Sequence, residues 1–210
     1  MNYFEFALLA FTSFFTLINP LGVMPIFLSM TSQMNTVSRN KVAIKAIVTS
    51  FLILLVFAFS GQILFKFFSI TVDSFRIVGG IIFFKMGYDM LQAKIVHQQY
   101  SKEQEAEVVN DIAITPLAIP MICGPGAITN SIVLMEDAEN LISKSILIGI
   151  ILLVCLITLG LLLGAGRFVK LLGDTGNKVM MKLMGLIVMV IAVEFFLSGL
   201  IPIIKNLINS

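Results

Sequence analysis

The sequence contains few charged residues: Asp, Glu, Lys and Arg make up 12% of its 210 residues, against about 25% in an average soluble domain. Two cysteines and one histidine are too few for a disulfide framework or for a zinc site with several ligands. A net charge of +2 provides no basic surface for nucleic acid. No nucleophile–base pair and no cluster of metal ligands stands out, so we expect neither an enzyme nor a bound cofactor.

Apolar side chains, by contrast, are abundant: 58% of the residues are hydrophobic, the mean hydropathy is +1.02, and 18 residues are phenylalanine. A soluble protein of this size needs more polar surface than this composition can supply. The sequence therefore predicts an integral membrane protein surrounded by lipid.

Six apolar segments are each long enough to cross a hydrocarbon core about 30 Å thick. These segments are residues 3–30, 41–66, 72–94, 112–135, 142–172 and 177–206. Their apolar runs are continuous rather than alternating, which predicts an all-α membrane protein with six transmembrane helices. The longest hydrophilic stretch, residues 95–111, separates a first three-helix part (1–94) from a second one (112–210) within a single membrane domain.

Lysine and arginine are unevenly distributed between the loops on the two sides of the predicted bundle. One side holds Arg39, Lys41, Lys45, Lys94, Lys102, Arg167, Lys170, Lys178 and Lys182, and the other holds Lys66, Arg76, Lys144 and Lys205. Because the side richer in these residues usually faces the cytoplasm, both termini are predicted to be non-cytoplasmic.

The second half of the sequence repeats the first half, with few identities, at a shift of about 105 residues. Pro20 falls on Pro125, and residues 76–79 fall on residues 182–185. Since each half would contain three transmembrane helices, an odd number, the two halves would cross the membrane in opposite directions. Such a 3+3 inverted repeat is typical of secondary transporters, which bind their substrate between the halves near the membrane midplane.

The first helix of each predicted repeat is broken by proline and glycine, as Asn-Pro-Leu-Gly at residues 19–22 and Cys-Gly-Pro-Gly at residues 123–126. Proline removes a backbone donor and glycine loosens the helix, so amide and carbonyl groups are freed inside the membrane. A half-helix that begins at a break attracts a carboxylate, and one that ends there offers carbonyls to an ammonium group or a cation. The breaks therefore favour a binding site for a zwitterion; the alternative is that they only kink packed helices.

We expect the substrate to be bound by the backbone and the small polar side chains around the two breaks. The predicted substrate-binding residues are Thr16, Asn19, Pro20, Gly22, Cys123, Gly124, Gly126 and Thr129. The Asn19 amide can both donate and accept hydrogen bonds, so it could hold an amino acid or cap the freed backbone groups.

At the two breaks the sequence resembles the MarC family of bacterial inner-membrane proteins, which includes neutral amino acid transporters of the SnatA type. The resemblance is carried by Asn-Pro-Leu-Gly-Val-Met-Pro at residues 19–25, by Pro-Leu-Ala-Ile-Pro at residues 116–120 and by Gly-Pro-Gly-Ala-Ile-Thr at residues 124–129. It extends over nearly the whole chain. The resemblance implies an inner-membrane location and secondary transport of small neutral amino acids such as glycine or alanine, driven by an ion gradient of H⁺ or Na⁺.

Two other functions stay open at this point, namely a passive channel and an exporter of other small metabolites. A channel made of paired half-helices would be expected to contain Asn-Pro at both breaks, whereas the second break contains Gly124 and Pro125. We therefore favour a carrier that works by alternating access at the two breaks.

Three ionisable residues fall inside the predicted spans, where charge is costly and usually functional. Glu194 lies roughly 18 Å beyond Lys182 at helical rise, well inside the sixth span, and is predicted to couple or gate transport. Lys85 and Asp89 are four residues apart on one face of the third span, which predicts an ion pair or a contribution to gating.

Gly160 and Gly164 form a G-x-x-x-G motif in the fifth span. Because small residues let helices approach closely, this motif predicts helix packing within the bundle, with formation of a homo-oligomer as the alternative.

Replacing Glu194 by glutamine tests the predicted coupling role. Glutamine has nearly the shape of glutamate but cannot take up or release a proton. We expect Glu194→Gln to remove the pH dependence of amino acid uptake into proteoliposomes while the protein elutes as a folded species in gel filtration. Uptake that keeps its pH dependence in this variant would show that another group couples transport.

Overall fold

The computed structural model describes residues 2–31, 34–92 and 105–208, and the secondary structure of these residues is helical. In chain order the elements are α1 (Tyr3–Ile18), α2 (Pro20–Met30), α3 (Thr36–Phe67), α4 (Val72–Leu91), α5 (Glu105–Ile112), a π-helix (Ala113–Ile122), α6 (Pro125–Asp137) and α7 (Leu141–Ile208). The predicted all-α class is confirmed for this part of the chain.

Four helical stretches of the described residues are long and apolar enough to cross a membrane. They are Tyr3–Leu28, Thr36–Phe67, Leu141–Gly166 and Gly185–Lys205, and the bent pair Glu107–Ile122 and Pro125–Asp137 adds a fifth if it is one span. The chain is therefore a multi-pass membrane protein, with four or five such spans among the described residues instead of the six predicted.

Helix α4 occupies the predicted third span but is less apolar than the other stretches. Within its 20 residues it carries Asp73, Arg76, Lys85 and Asp89. Arg76 and Asp73 form an ion pair with 3.5 Å between Nη1 and Oδ1, which lowers the cost of placing this end of the helix in a membrane.

The helix end predicted between the fifth and sixth spans is not observed, because α7 is helical over 68 residues. The segment 173–182 contains Gly173 and Gly176 but no proline. Glycine costs a helix about 1 kcal/mol and proline about 3 kcal/mol, so this segment weakens the helix without ending it.

The predicted hydrophilic linker is helical at its end, since residues 105–111 belong to α5. Residues 95–104 of that linker lie outside the described part of the chain.

A tight turn joins α3 to α4. Ser69 has a left-handed backbone with φ 54°, and the Ile70 amide donates a hydrogen bond to the Phe65 carbonyl. The rings of Phe65 and Phe75 pack against each other with their centres 5.6 Å apart. The turn therefore places the start of α4 beside the end of α3.

Helix α4 packs antiparallel to the C-terminal part of α7 along a line of small residues. A Cβ atom on Gly80 would lie 2.7 Å from the Ala192 carbonyl oxygen, and one on Gly87 would lie 2.7 Å from the Gly185 carbonyl oxygen. Gly199 lies against the backbone at the start of α4. The two backbones can come this close only because no side chain separates them. We call Gly80, Gly87, Gly185, Ala192 and Gly199 the α4–α7 seam.

The G-x-x-x-G motif of α7 is not part of this seam. Gly160 and Gly164 are exposed, and no atom of the described residues lies within 4 Å of the positions that their Cβ atoms would take. The prediction that this motif packs within the bundle is therefore wrong, since the spacing alone does not say which face of a helix is covered.

The seam can be tested with alanine substitutions at glycines. Gly80→Ala places a methyl group against the Ala192 carbonyl and is expected to lower the free energy of unfolding by about 1–3 kcal/mol, the usual cost of overpacking. Gly160→Ala is the matched control, and it should leave stability unchanged or raise it because alanine favours helix. Thermal unfolding in detergent, followed by circular dichroism, measures both variants. Equal melting temperatures for the two variants would contradict the seam.

Candidate functional site

The first break separates α1 from α2 at a single residue, Asn19. Its backbone is left-handed, with φ 47° and ψ 66°, a conformation that asparagine tolerates better than most residues do. The Asn19 carbonyl accepts hydrogen bonds from the amides of Gly22 and Val23 at 2.9 and 3.1 Å. Its side-chain oxygen accepts a further bond from the Gly22 amide at 3.2 Å. Asn19 therefore ends one helix and starts the next.

This break leaves two carbonyl groups at the end of α1 without their usual helical donors. In a continuous helix the Thr16 carbonyl would accept from residue 20 and the Ile18 carbonyl from residue 22. Pro20 has no N–H group, and the Gly22 amide donates to Asn19 instead. Because carbonyls at the end of a helix carry partial negative charge, they suit an ammonium group or a cation.

The second break is longer and runs through the π-helix to the start of α6. Thr115 and Ile119 have extended backbones with φ −131° and −119°, because each precedes a proline, which disfavours the helical conformation. The Cys123 amide donates to the Ala118 carbonyl at 2.8 Å, five residues back instead of four. Helix α6 then begins at Pro125, and the helical segments on the two sides of the break are bent by 61°.

Aromatic side chains from α4 and α7 cover the second break. A Cβ atom on Gly124 would lie 2.6 Å from Cζ of Phe83, and Phe195 lies directly against Gly126. The centres of these two rings are 5.9 Å apart. No side chain of the described residues caps the start of α6, so protein packing encloses a helix start that has no side-chain cap within this part of the chain.

A cavity of about 40 Å³ lies next to the first break, between the two halves of the chain. The first half contributes Asn19, its neighbours in α1 and α2, and Phe83, whereas the second half contributes Met121, Val188 and Ile191. Asn19 has the only polar side chain among the described residues that line the cavity. The space is sufficient for about three water molecules, and the lining that the described residues provide is mostly apolar and uncharged.

The structure brings only part of the predicted substrate-binding set to this cavity. Asn19 and Gly22 line it, whereas Thr16 is exposed outside it. The remaining predicted residues are buried but do not line the cavity, and they are Pro20, Cys123, Gly124, Gly126 and Thr129.

Two of these buried residues have polar side-chain groups, namely Cys123, which precedes α6, and Thr129, which lies within α6. The Cys123 thiol donates a hydrogen bond to the Ser50 carbonyl at 3.3 Å. The Thr129 hydroxyl, on a residue that is 3% exposed, meets no hydrogen-bond partner among the described residues.

The predicted ionisable residues do not line the cavity. Glu194 and Lys85 are exposed, and Asp89 is partly exposed. The predicted pairing of Lys85 with Asp89 is not observed, and the ion pair of the described residues joins Arg76 to Asp73. The coupling role of Glu194 stays a prediction.

The aromatic and aliphatic residues that enclose the site, above all Phe83, Val188 and Phe195, were not predicted from the sequence. The internal repeat contains a signal for two of them, because Phe83 falls on Val188 at a shift of 105 residues. Phe195 has no comparable signal in a chain with 18 phenylalanines.

Apolar helices, two of them broken beside a small cavity, define a multi-pass integral membrane protein. The chain belongs to the MarC family: the model described as "MarC family integral membrane protein" matches residues 4–204. The resemblance seen in the sequence is thereby confirmed.

Relatives of similar length occur in archaea and bacteria. A UPF0056 membrane protein of Pyrococcus horikoshii is 36% identical over 92% of this chain and 93% of its own length. YhcE of Escherichia coli K12 is 35% identical over 99% of this chain and 95% of its own length. YvbG of Bacillus subtilis is 36% identical over 97% of this chain and 99% of its own length. No solved structure matches this chain.

Two substitutions of Asn19 test the geometry of the first break. Asn19→Gly keeps access to the left-handed conformation, whereas a leucine in that conformation costs roughly 1–2 kcal/mol. We expect Asn19→Leu to unfold at a lower temperature than Asn19→Gly, measured by thermal unfolding in detergent. Equal stability of the two variants would contradict a left-handed junction at residue 19.

Proposed function

We propose that this protein is a secondary transporter that moves small neutral amino acids, of the size of glycine or alanine, across the inner membrane. The observation that carries the proposal is the cavity at Asn19, where the break between α1 and α2 meets Phe83, Val188 and Ile191. Substrate sites of secondary transporters typically lie between two halves of the chain and are formed by discontinuous helices.

The lining of the cavity favours a small solute without net charge. Among the described residues that line the cavity, none has an ionisable side chain, and Asn19 supplies the polar amide. The carbonyls at the end of α1 suit an ammonium group, and the amides at the start of α6, on the other side of Phe83, suit a carboxylate. A zwitterionic amino acid could place its ammonium group at the α1 carbonyls, and its carboxylate would reach the α6 amides once Phe83 moves off Gly124. The small volume limits its side chain.

The α4–α7 seam supports the 3+3 inverted repeat on which this kind of transporter depends. A shift of 105 residues, the one that relates Pro20 to Pro125, places Gly80 on Gly185 and Gly87 on Ala192, whereas residues 76–79 align with residues 182–185 at a shift of 106. The repeat equivalent of the contact between Gly80 and Ala192 is therefore the contact between Gly185 and Gly87. Both contacts are present in the structure. Contacts that exchange in this way are expected of two units related by a twofold axis, and antiparallel helices fit an axis in the membrane plane.

A complete 3+3 repeat also requires that α7 crosses the membrane twice. Its two apolar stretches, Leu141–Gly166 and Gly185–Lys205, are each long enough for one crossing. In this proposal they are the fifth and sixth spans, α4 is the third, and both termini are non-cytoplasmic. The uninterrupted helix between the two stretches is the feature that a 3+3 repeat does not predict.

An H⁺ or Na⁺ gradient drives transport in this proposal. Glu194 is exposed on α7 and does not line the cavity. If Glu194 couples transport, its protonation would therefore change the position of α7, and that movement would in turn affect the substrate.

Counterflow in proteoliposomes tests the transport function. Vesicles that contain the purified protein and are preloaded with unlabelled alanine should accumulate labelled alanine transiently above its equilibrium level, because a carrier exchanges the two. A linear flux that does not saturate would indicate a channel, and the absence of flux for every neutral amino acid tested would contradict the proposal.

Enlarging the cavity tests whether it sets substrate size. Phe83→Ala removes a ring from the cavity wall and should shift counterflow from alanine towards leucine and valine. Phe84→Ala is the matched control, because Phe84 is 44% exposed on the same helix and does not line the cavity. An unchanged leucine-to-alanine ratio in Phe83→Ala would place the substrate elsewhere.

A further inference from the structure

The cavity is asymmetric with respect to the internal repeat. On the side of the first half it is lined by residues of the first break, which include Ile18, Asn19, Gly22 and Val23. A shift of 105 residues places these four on Cys123, Gly124, Ala127 and Ile128. The second set does not line the cavity. The two sets do not differ in burial, since Ile18 and Val23 are 1% and 3% exposed and Cys123 and Ile128 are 1% and 6% exposed, so the asymmetry lies in the position of the cavity.

Phe83 lies between these two sets of residues. Its ring lines the cavity and also contacts Gly124 at the second break. Val188, which the repeat places on Phe83, lines the cavity as well, so the cavity lies where the two equivalent helices meet. The first break is therefore open to the cavity, whereas at the second break Met121 lines the cavity and Phe83 and Phe195 cover Gly124 and Gly126.

We propose that Cys123, Gly124, Ala127 and Ile128 line a second access route to the substrate site, closed in this structure and leading to the opposite side of the membrane. The inference rests on the proposed transport function and on the repeat. In the alternative state the halves exchange roles, so that Phe83 moves off Gly124 while the first break closes around Asn19. Because the halves have opposite orientations, equivalent routes lead to opposite sides.

Cys123 provides a native reporter for this route. The chain has two cysteines, Cys123 and Cys155, and both are free and buried. Cys123 belongs to the proposed route, whereas Cys155 lies in α7, outside the four positions that define it. A minor conformation is typically populated at roughly 0.1–10%, and covalent labelling accumulates with time, so the alternative state need not predominate to be detected.

The experiment labels thiols in sealed vesicles of known sidedness with a maleimide that does not cross the membrane. In the Cys155→Ala protein, Cys123 is the only thiol and should be labelled from one side alone. In the Cys123→Ala/Cys155→Ala protein, the substitution Ile18→Cys introduces a thiol at the equivalent position of the first route, which should be labelled from the other side. Cys123→Ala, which keeps only Cys155, should stay unlabelled from both sides.

Two results would overturn the second route while leaving the transport function intact. The first is labelling of both positions from the same side, and the second is resistance of Cys123 to labelling in vesicles that still carry out alanine counterflow. The absence of counterflow in wild-type vesicles would instead contradict the proposed function itself. If Cys155→Ala fails to fold, labelling the wild-type chain and locating the modified cysteine by mass spectrometry gives the same readout.

Discussion

Backbone amide and carbonyl groups cannot be left exposed to hydrocarbon, and the rest of the structure is arranged to meet this constraint at two helix breaks. At the first break a single residue satisfies this constraint, because the Asn19 carbonyl accepts hydrogen bonds from the amides of Gly22 and Val23. At the second break no single residue can do so, because the irregular backbone is longer. That break is covered by neighbouring helices, with Phe83 and Phe195 against its glycines.

This cover depends on close approach between helices. Gly79 of α4 lies directly against Pro125 at the start of α6, a contact that a side chain at position 79 would prevent. Helix α4 in turn meets α7 through the carbonyl oxygens of Gly185 and Ala192. Gly79 therefore lets α4 approach the second break, and Gly80 and Gly87 let the same helix approach α7.

The two breaks could be predicted from the sequence because their cause is local: proline lacks a donor, and the residue before it avoids the helical conformation. Helix contacts have no local cause. Gly160 and Gly164 fit a packing motif yet are exposed, whereas Gly80 and Gly87 have a longer spacing and lie against the backbone of α7. The cavity walls were not predictable for the same reason, since Phe83 and Phe195 gain their role only once α4 and α7 meet α6. The length of α7 was not predictable, because the polar residues of segment 173–182 interrupt the apolar run but include no proline that would end the helix.

The spacing of the α4–α7 seam also limits how these two helices can move. Gly80 and Gly87 are seven residues apart, as are Gly185 and Ala192, which corresponds to about 10 Å along each helix. A sliding motion of a few ångströms would drive side chains into the backbone of the neighbouring helix before the next small residue came into register. A rotation about the contact points leaves every contact in register. The seam therefore opposes sliding of the two helices more strongly than it opposes rotation about the line of contacts.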